Sequence, residues 1–225
     1  MLSRGEASDA VSGHGWRFLL GTLRTSVRVG SLTDAVSLAA RAVEACGEHA
    51  DGHLRTDLRP NRVEFVLETR EFAALTDRDV ELAHRITAMV EALGLHTEPA
   101  IDADLRSVQE LELAIDALDI PAIRPFWKAV LGYADPLPGA GPADPLVDPI
   151  GQGPAVWFQQ MTEPRRQRNR IHLDLCVPHD EAPARIAAAL VAGGRLLSDR
   201  RSPSFWILSD PEGNEICVTT WQGRD

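Results

Sequence analysis

Long apolar runs are missing from this sequence. None approaches the 18 or so residues needed to cross a bilayer, and no apolar core of a signal peptide follows the first charge. Neither secretion nor membrane spanning is expected, which leaves a cytoplasmic protein. Cysteine is scarce. Cys46, Cys176 and Cys217 show no pairing pattern, so reduced thiols are the default. Basic charge is short as well, with 23 Lys and Arg against 33 Asp and Glu, and Lys128 the single lysine. Nucleic-acid binding rests on clustered Lys and Arg, so a net charge of −10 argues against that partner. What remains is 44% hydrophobic and 25% charged over 225 residues, ordinary for globular protein and comfortable for two domains.

One stretch organises the second half. Arg170 to Val177 alternates strictly, with Ile171, Leu173, Leu175 and Val177 on one face and His172, Asp174 and Cys176 on the other. Period-two alternation predicts a half-buried strand. Its polar face carries imidazole, carboxylate and thiol in a row, as the floor of a site would. Asn214 to Thr220 repeats the pattern with Glu215 and Cys217 against Ile216 and Val218. Glu110 to Asp116 does so with Glu110, Glu112 and Asp116 against Leu111, Leu113 and Ile115. Three polar-lined strands need a common cleft to face.

Taken in order, residues 1–15 are polar and small and read as a flexible lead-in. Two short strands follow around Gly21, and Ser31 opens a helix whose apolar positions run from Val36 to Cys46. His53–Arg59 and Arg62–Thr69 form a hairpin pattern, and Thr76 caps a further helix with Leu82, Ile86, Met89, Val90 and Leu93 on its buried stripe. This ββαββα order, with Trp16 and the run Leu75 to Asp79, resembles the pterin-4a-carbinolamine dehydratase family. That family carries Glu-x-x-x-His-His-Pro before its third strand, and Thr-His then Gly-Gly-Leu-Thr-x-x-Asp after its fourth. Here the elements read Glu48 to Leu54, with Gly52-His53, and Thr69-Arg70 followed by Ala73-Ala74-Leu75-Thr76-Asp77-Arg78-Asp79.

The resemblance implies a scaffold without most of its chemistry. Of three family histidines only His53 has a counterpart, and the others fall on Gly52 and Arg70. Carbinolamine dehydration needs a proton given and a proton taken, each typically worth 10²–10⁴ in rate. Glycine offers nothing, and arginine stays protonated. His49 could replace Gly52 only through a register shift. The half is therefore expected to be mainly structural, with 4a-hydroxytetrahydrobiopterin dehydration through His53 as the alternative.

After a linker over 95–106, the chain from 107 to 225 carries an internal repeat. A strand over Val108–Asp116, a helix over Ile120–Leu131 and short strands near Tyr133, Leu146 and Val156–Gln160 make one βαβββ pattern. It restarts about 60 residues later with a strand over Ile171–Val177, a helix over Asp180–Ala192 and strands near Leu196, Phe205–Leu208 and Glu215–Thr219. With Phe126-Trp127, Leu131-Gly132-Tyr133 and the closing run Asp210-Pro211-Glu212-Gly213-Asn214-Glu215, this resembles the glyoxalase or vicinal-oxygen-chelate superfamily. The expected fold class is thus α+β: residues 16–94 dehydratase-like, then a paired βαβββ domain, a fusion similar to actinobacterial proteins.

Metal-dependent members of that superfamily take ligands from the first and fourth strand of each repeat. The matching positions are Glu112, Gln159, His172 and Cys217, so the resemblance implies Glu112, His172 and Cys217 as candidate ligands for a divalent metal. A metal-free cleft of similar shape is the other reading. Glu112, His172 and Glu215 are the candidate acids and bases beside His53. Trp157, Gln159, Asp174 and Trp206 are candidate substrate contacts, although strand tryptophans are commonly core. Arg170 ends a basic run from Arg165 that is either a solvated loop or a cover over the cleft favouring an anion. Exposed strand edges suggest a homodimer. Three functions compete: lyase, isomerase or dioxygenase chemistry on a small polar metabolite in the cleft, dehydration through His53, or ligand sequestration.

Overall fold

The computed structural model describes residues 2–100, 107–165, 167 and 170–223. It forms two compact units, Met1–Glu110 and Leu111–Asp225. Helix and strand mix in both, and the fold is α+β. Residues 101–106 of the expected linker lie outside the described residues.

The first unit runs α1 (Arg4–Ser12), β1 (Arg17–Leu19), β2 (Thr22–Arg28), α2 (Leu32–Cys46), α3 (Ala50–His53), β3 (Leu54–Arg59), β4 (Arg62–Leu67), α4 (Asp77–Ala92) and β5 (Thr97–Glu98). Its sheet has the order β1-β2-β4-β3, with β5 added on β2. The antiparallel register sets Leu23 opposite Leu67, Thr25 opposite Phe65 and Val27 opposite Val63, so one face is almost wholly apolar. Leu38, Ala42 and Cys46 of α2, and Leu82, Ile86 and Val90 of α4, bury that face. Each large side chain so buried contributes roughly 1.5–3 kcal/mol of transfer free energy. The indole of buried Trp16 donates to Thr87 Oγ1 at 2.9 Å, which satisfies its one polar atom.

The lead-in expected over residues 1–15 is instead largely helical. Ser3 and Glu6 form a reciprocal capping box, and Ala7 and Val11, one turn apart, are fully buried. The stripe is only two small residues wide, so the segment's overall polarity hides it.

The second unit runs β6 (Glu112–Ala117), α5 (Ile120–Leu131), β7 (Ala155–Gln160), β8 (Leu173–Cys176), α6 (Ala182–Val191), β9 (Arg195–Arg201), β10 (Phe205–Ser209) and β11 (Glu215–Thr219). β6 pairs with β7 in parallel, and bridges at Leu146–Val156 and Ala134–Val147 extend that sheet. The second sheet has the order β8-β11-β10-β9, with β8 and β11 parallel. Each repeat thus opens and closes on adjacent parallel strands.

Local signals set α5. Asp119 accepts from Ala122 N, Pro121 occupies the first turn, and Gly132 at φ 69° ends the helix in the left-handed region. Ile123, Phe126 and Trp127 of α5 and Ile186 of α6 pack with Ile115, Val156, Phe158, Ile216 and Val218 of the sheets. A Cβ on Gly194 would lie 2.3 Å from Phe126 Cδ2, so only glycine lets the chain pass there. Two strands are shorter than their alternation predicts. β6 begins only at Glu112, and β8 only at Leu173, because Ile171 is 79% exposed and buries nothing.

The loop between β10 and β11 joins the repeats. Asp210, fully buried, accepts at Oδ1 from the backbone N–H of Glu212 and Asn214, both at 2.9 Å. Its Oδ2 accepts from Asn214 Nδ2 at 2.8 Å and from Trp127 Nε1 of α5 at 3.0 Å. Glu212 reaches the other way, accepting from Leu118 N and Asp119 N at 2.7–3.0 Å just ahead of α5. Asn214 Nδ2 also donates to the Asp116 carbonyl at 3.2 Å.

Asp210→Ala should therefore destabilise the protein severely, because it strands several buried donors at about 1–3 kcal/mol each. A urea melt should show a loss of about 3 kcal/mol or more, and a change under 1 kcal/mol would mean that these donors find water instead.

Candidate functional site

In the first unit the carboxylate of Asp79 is the fixed point. Asp79 is fully buried on α4, where Thr76 N donates to its Oδ2 at 2.8 Å and Thr69 Oγ1 at 2.7 Å. Its Oδ1 lies 2.7 Å from His53 Nδ1 at the end of α3. An ionised carboxylate only accepts, so the proton sits on Nδ1 and Nε2 is the nitrogen left for chemistry. His49 stands edge-on to His53 with ring centroids 6.2 Å apart.

Of the two altered positions only Arg70 puts its side chain to structural use. Gly52 O accepts from Arg70 N at 3.1 Å, and Arg70 Nη2 donates to Leu54 O at 3.0 Å. Arg70 lines a shallow pocket of about 380 Å³ with Val43, Ala50, Asp51, Leu54 and Thr56. Ala73, at a family glycine position, holds φ 44°, a conformation glycine adopts more cheaply.

In the second unit, register decides which side chains can meet. On β8 and β11, Asp174 pairs with Cys217, while Leu173, Leu175, Ile216 and Val218 turn toward the core. The core-averted face presents Asp174, Cys176, Glu215, Cys217 and Thr219, joined by Phe205 and Ile207 of β10. His172, just ahead of β8, joins it, with Nε2 3.7 Å from Asp174 Oδ1 and both side chains 60% exposed. His172, Asp174, Phe205, Ile207, Glu215 and Cys217 line a cavity of about 730 Å³. A second cavity of about 630 Å³ shares Glu215 and is lined by Leu113, Asp116, Trp127, Arg165, Arg170 and Asn214, among others.

Several expected residues stand elsewhere. Trp206 pairs with Val218 and packs on the buried core, so it is no wall of the cleft; Phe205 and Ile207 take that place. Glu112, Trp157 and Gln159 share the core-averted face of the β6–β7 sheet and line neither cavity. Glu112, His172 and Cys217 therefore do not converge. Among the described residues no three His, Cys, Asp or Glu side chains are placed to hold a metal ion, and the residues do not fit the expected centre. Asn214 is no candidate contact in the sequence, and Arg165 enters there only as the start of the basic run. The signal for Asn214 was its place after Gly213, where a turn delivers a side chain to the head of β11.

The thiols differ sharply in setting. Burial in the first core pushes Cys46 up to about 11, whereas Cys176 is exposed. With a disulfide reagent at pH 8, Cys176→Ser should abolish the fastest phase, and Cys46 should label only on unfolding. Rapid native labelling that survives Cys176→Ser would show the strand face to be oriented otherwise.

Comparison with known proteins gives each unit a relative. The family model described as pterin 4 alpha carbinolamine dehydratase matches residues 1–89, and that described as a glyoxalase-like domain matches residues 112–219. A Mycolicibacterium smegmatis protein named for the dehydratase is 33% identical over 76 residues, covering 34% of this chain and 80% of that protein. One from Mycobacterium tuberculosis is 30% identical over 79 residues, 35% of this chain and 83% of that one. Among solved structures, the Brucella melitensis transcriptional coactivator/pterin dehydratase is 23% identical with a TM-score of 0.35, covering 39% of this chain and 96% of that one. A Burkholderia phytofirmans glyoxalase/bleomycin resistance protein/dioxygenase family enzyme is 18% identical with a TM-score of 0.39, covering 48% and 95%. Through its first unit this chain belongs to the pterin-4a-carbinolamine dehydratase family, and its second unit is a glyoxalase-like domain.

Proposed function

We propose that the second unit is the working half, binding a small polar metabolite on the open face of its four-stranded sheet and catalysing a lyase- or isomerase-type proton transfer. The observation that carries this is the 730 Å³ cavity in which His172, Asp174, Glu215 and Cys217 come together between Phe205 and Ile207. Apolar walls around a few polar groups are what a small-molecule site needs. Asp174 lies close enough to steady the charge on His172 as it takes a proton, although 3.7 Å is beyond hydrogen-bond length. Catalytic hydrogen bonds commonly tighten only around substrate. Glu215, on the neighbouring strand, supplies a second proton-transfer group.

Metabolites that raise the melting temperature identify candidate ligands, and their conversion can be followed by NMR. His172→Ala should lower turnover by roughly 10²–10⁴ while the ligand still binds. Tight binding with no turnover by wild type would instead make this a sequestering protein.

A second reading rests on the His53–Asp79 pair at 2.7 Å, which holds a histidine ready at the family position. We infer that this site is poor: with Gly52 and Arg70 in place, one positioned base remains and the departing hydroxyl lacks an acid. A Cβ at Gly52 meets nothing within 4 Å, so histidine fits there. On freshly generated 4a-carbinolamine, the Gly52→His/Arg70→His double variant should exceed either single change, because groups acting as a unit are not additive. Brisk wild-type turnover that disappears in His53→Ala would move the activity to this half.

A further inference from the structure

The cleft beside the proposed catalytic face holds two guanidinium groups as well as two carboxylates. Arg165 and Arg170 both line the 630 Å³ cavity, with Gln167 between them. Among the described residues these two form no ion pair. Arg165 is fixed all the same: its Nη2 donates at 2.6 Å to Oδ1 of Asn214, a neutral amide. Asn214 is itself 5% exposed and tied to Asp210 and the Asp116 carbonyl through Nδ2. A guanidinium held by a neutral acceptor keeps its full charge and its other N–H donors, as an oxyanion seat requires.

The walls narrow the ligand further. Trp127, Leu113, Ile115 and Leu173 face the same space, so an apolar body belongs beside the charged group. Asp116 and Glu215 also line it, and their negative charge disfavours a polyanion. We propose that this cleft binds a small organic acid, its single carboxylate or phosphonate group on Arg165 and Arg170 and its apolar body against Trp127. Because Glu215 lines both cavities, a ligand anchored here extends to His172 and Asp174. The proposal names a substrate class for the preceding reading and rests on it for the catalytic end only.

The test is binding of benzoate, phenylphosphonate and neutral benzamide by titration calorimetry or ligand-observed NMR on the full chain. Benzoate or phenylphosphonate should bind, more weakly as salt rises, while benzamide should bind at least about tenfold more weakly. Whichever anion binds tighter names the head group. Arg165→Gln and Arg170→Gln should each weaken it about tenfold, with the melting temperature kept because both side chains are exposed. Arg59→Gln, the same charge change on β3, should leave it unaltered. Benzamide binding equal to benzoate, wild-type affinity in the Arg165→Gln/Arg170→Gln double variant, or no anion binding at millimolar concentration would each overturn the proposal. Anion binding through Arg165 in a protein that turns nothing over would uphold it while retiring the catalytic reading.

Discussion

The second unit depends on one buried carboxylate. Asp210 gathers the β10–β11 turn and the indole of Trp127 around itself, and every buried donor it meets is satisfied. Removing a charge from water is costly, and it persists here only because both oxygens are engaged. The same turn starts β11 at Glu215 and so fixes which residues face the cavities. Site geometry is thus downstream of a structural clasp. The run Asp-Pro-Glu-Gly-Asn, which points to the family, does its work as architecture, while the groups suited to chemistry lie next to it.

The first unit shows scaffold and chemistry coming apart. Asp79 still holds His53, and Thr69 and Thr76 still hold Asp79. Of the partners that would make His53 one member of an acid–base set, Gly52 has no side chain and Arg70 is engaged with the Leu54 carbonyl. Because Asp79 also completes the cap of α4, it would be retained for folding alone. A fixed histidine here is therefore weak testimony to activity.

Much of this was legible in the sequence where local physics decides. Asp119, Pro121 and Gly132 mark the limits of α5 because capping is a matter of a few adjacent residues. β8 came out shorter than its alternation because alternation reports what a strand could bury, and Ile171 has nothing to pack on. Trp206 stands on the core side and not in the cleft, and the sequence carries the reason. A five-residue turn from Asp210 to Asn214 sets Ser209 opposite Glu215, which sends Phe205 and Ile207 to the side of Cys217 and Trp206 to the other. The divergence of Glu112 from His172 was not readable, since it depends on how two separate sheets are placed. Arg165 was hidden for another reason: a basic run does not say which of its members finds a neutral partner.

The grip of Glu212 on the amides ahead of α5 has a consequence for ancestry. Two copies of one unit begin as equals, each able to vary without the other. Once the closing turn of the second copy holds the helix start of the first, a change at Gly213 is felt at Leu118, in the other copy. The repeats have ceased to be separable, and drift in one constrains drift in its twin.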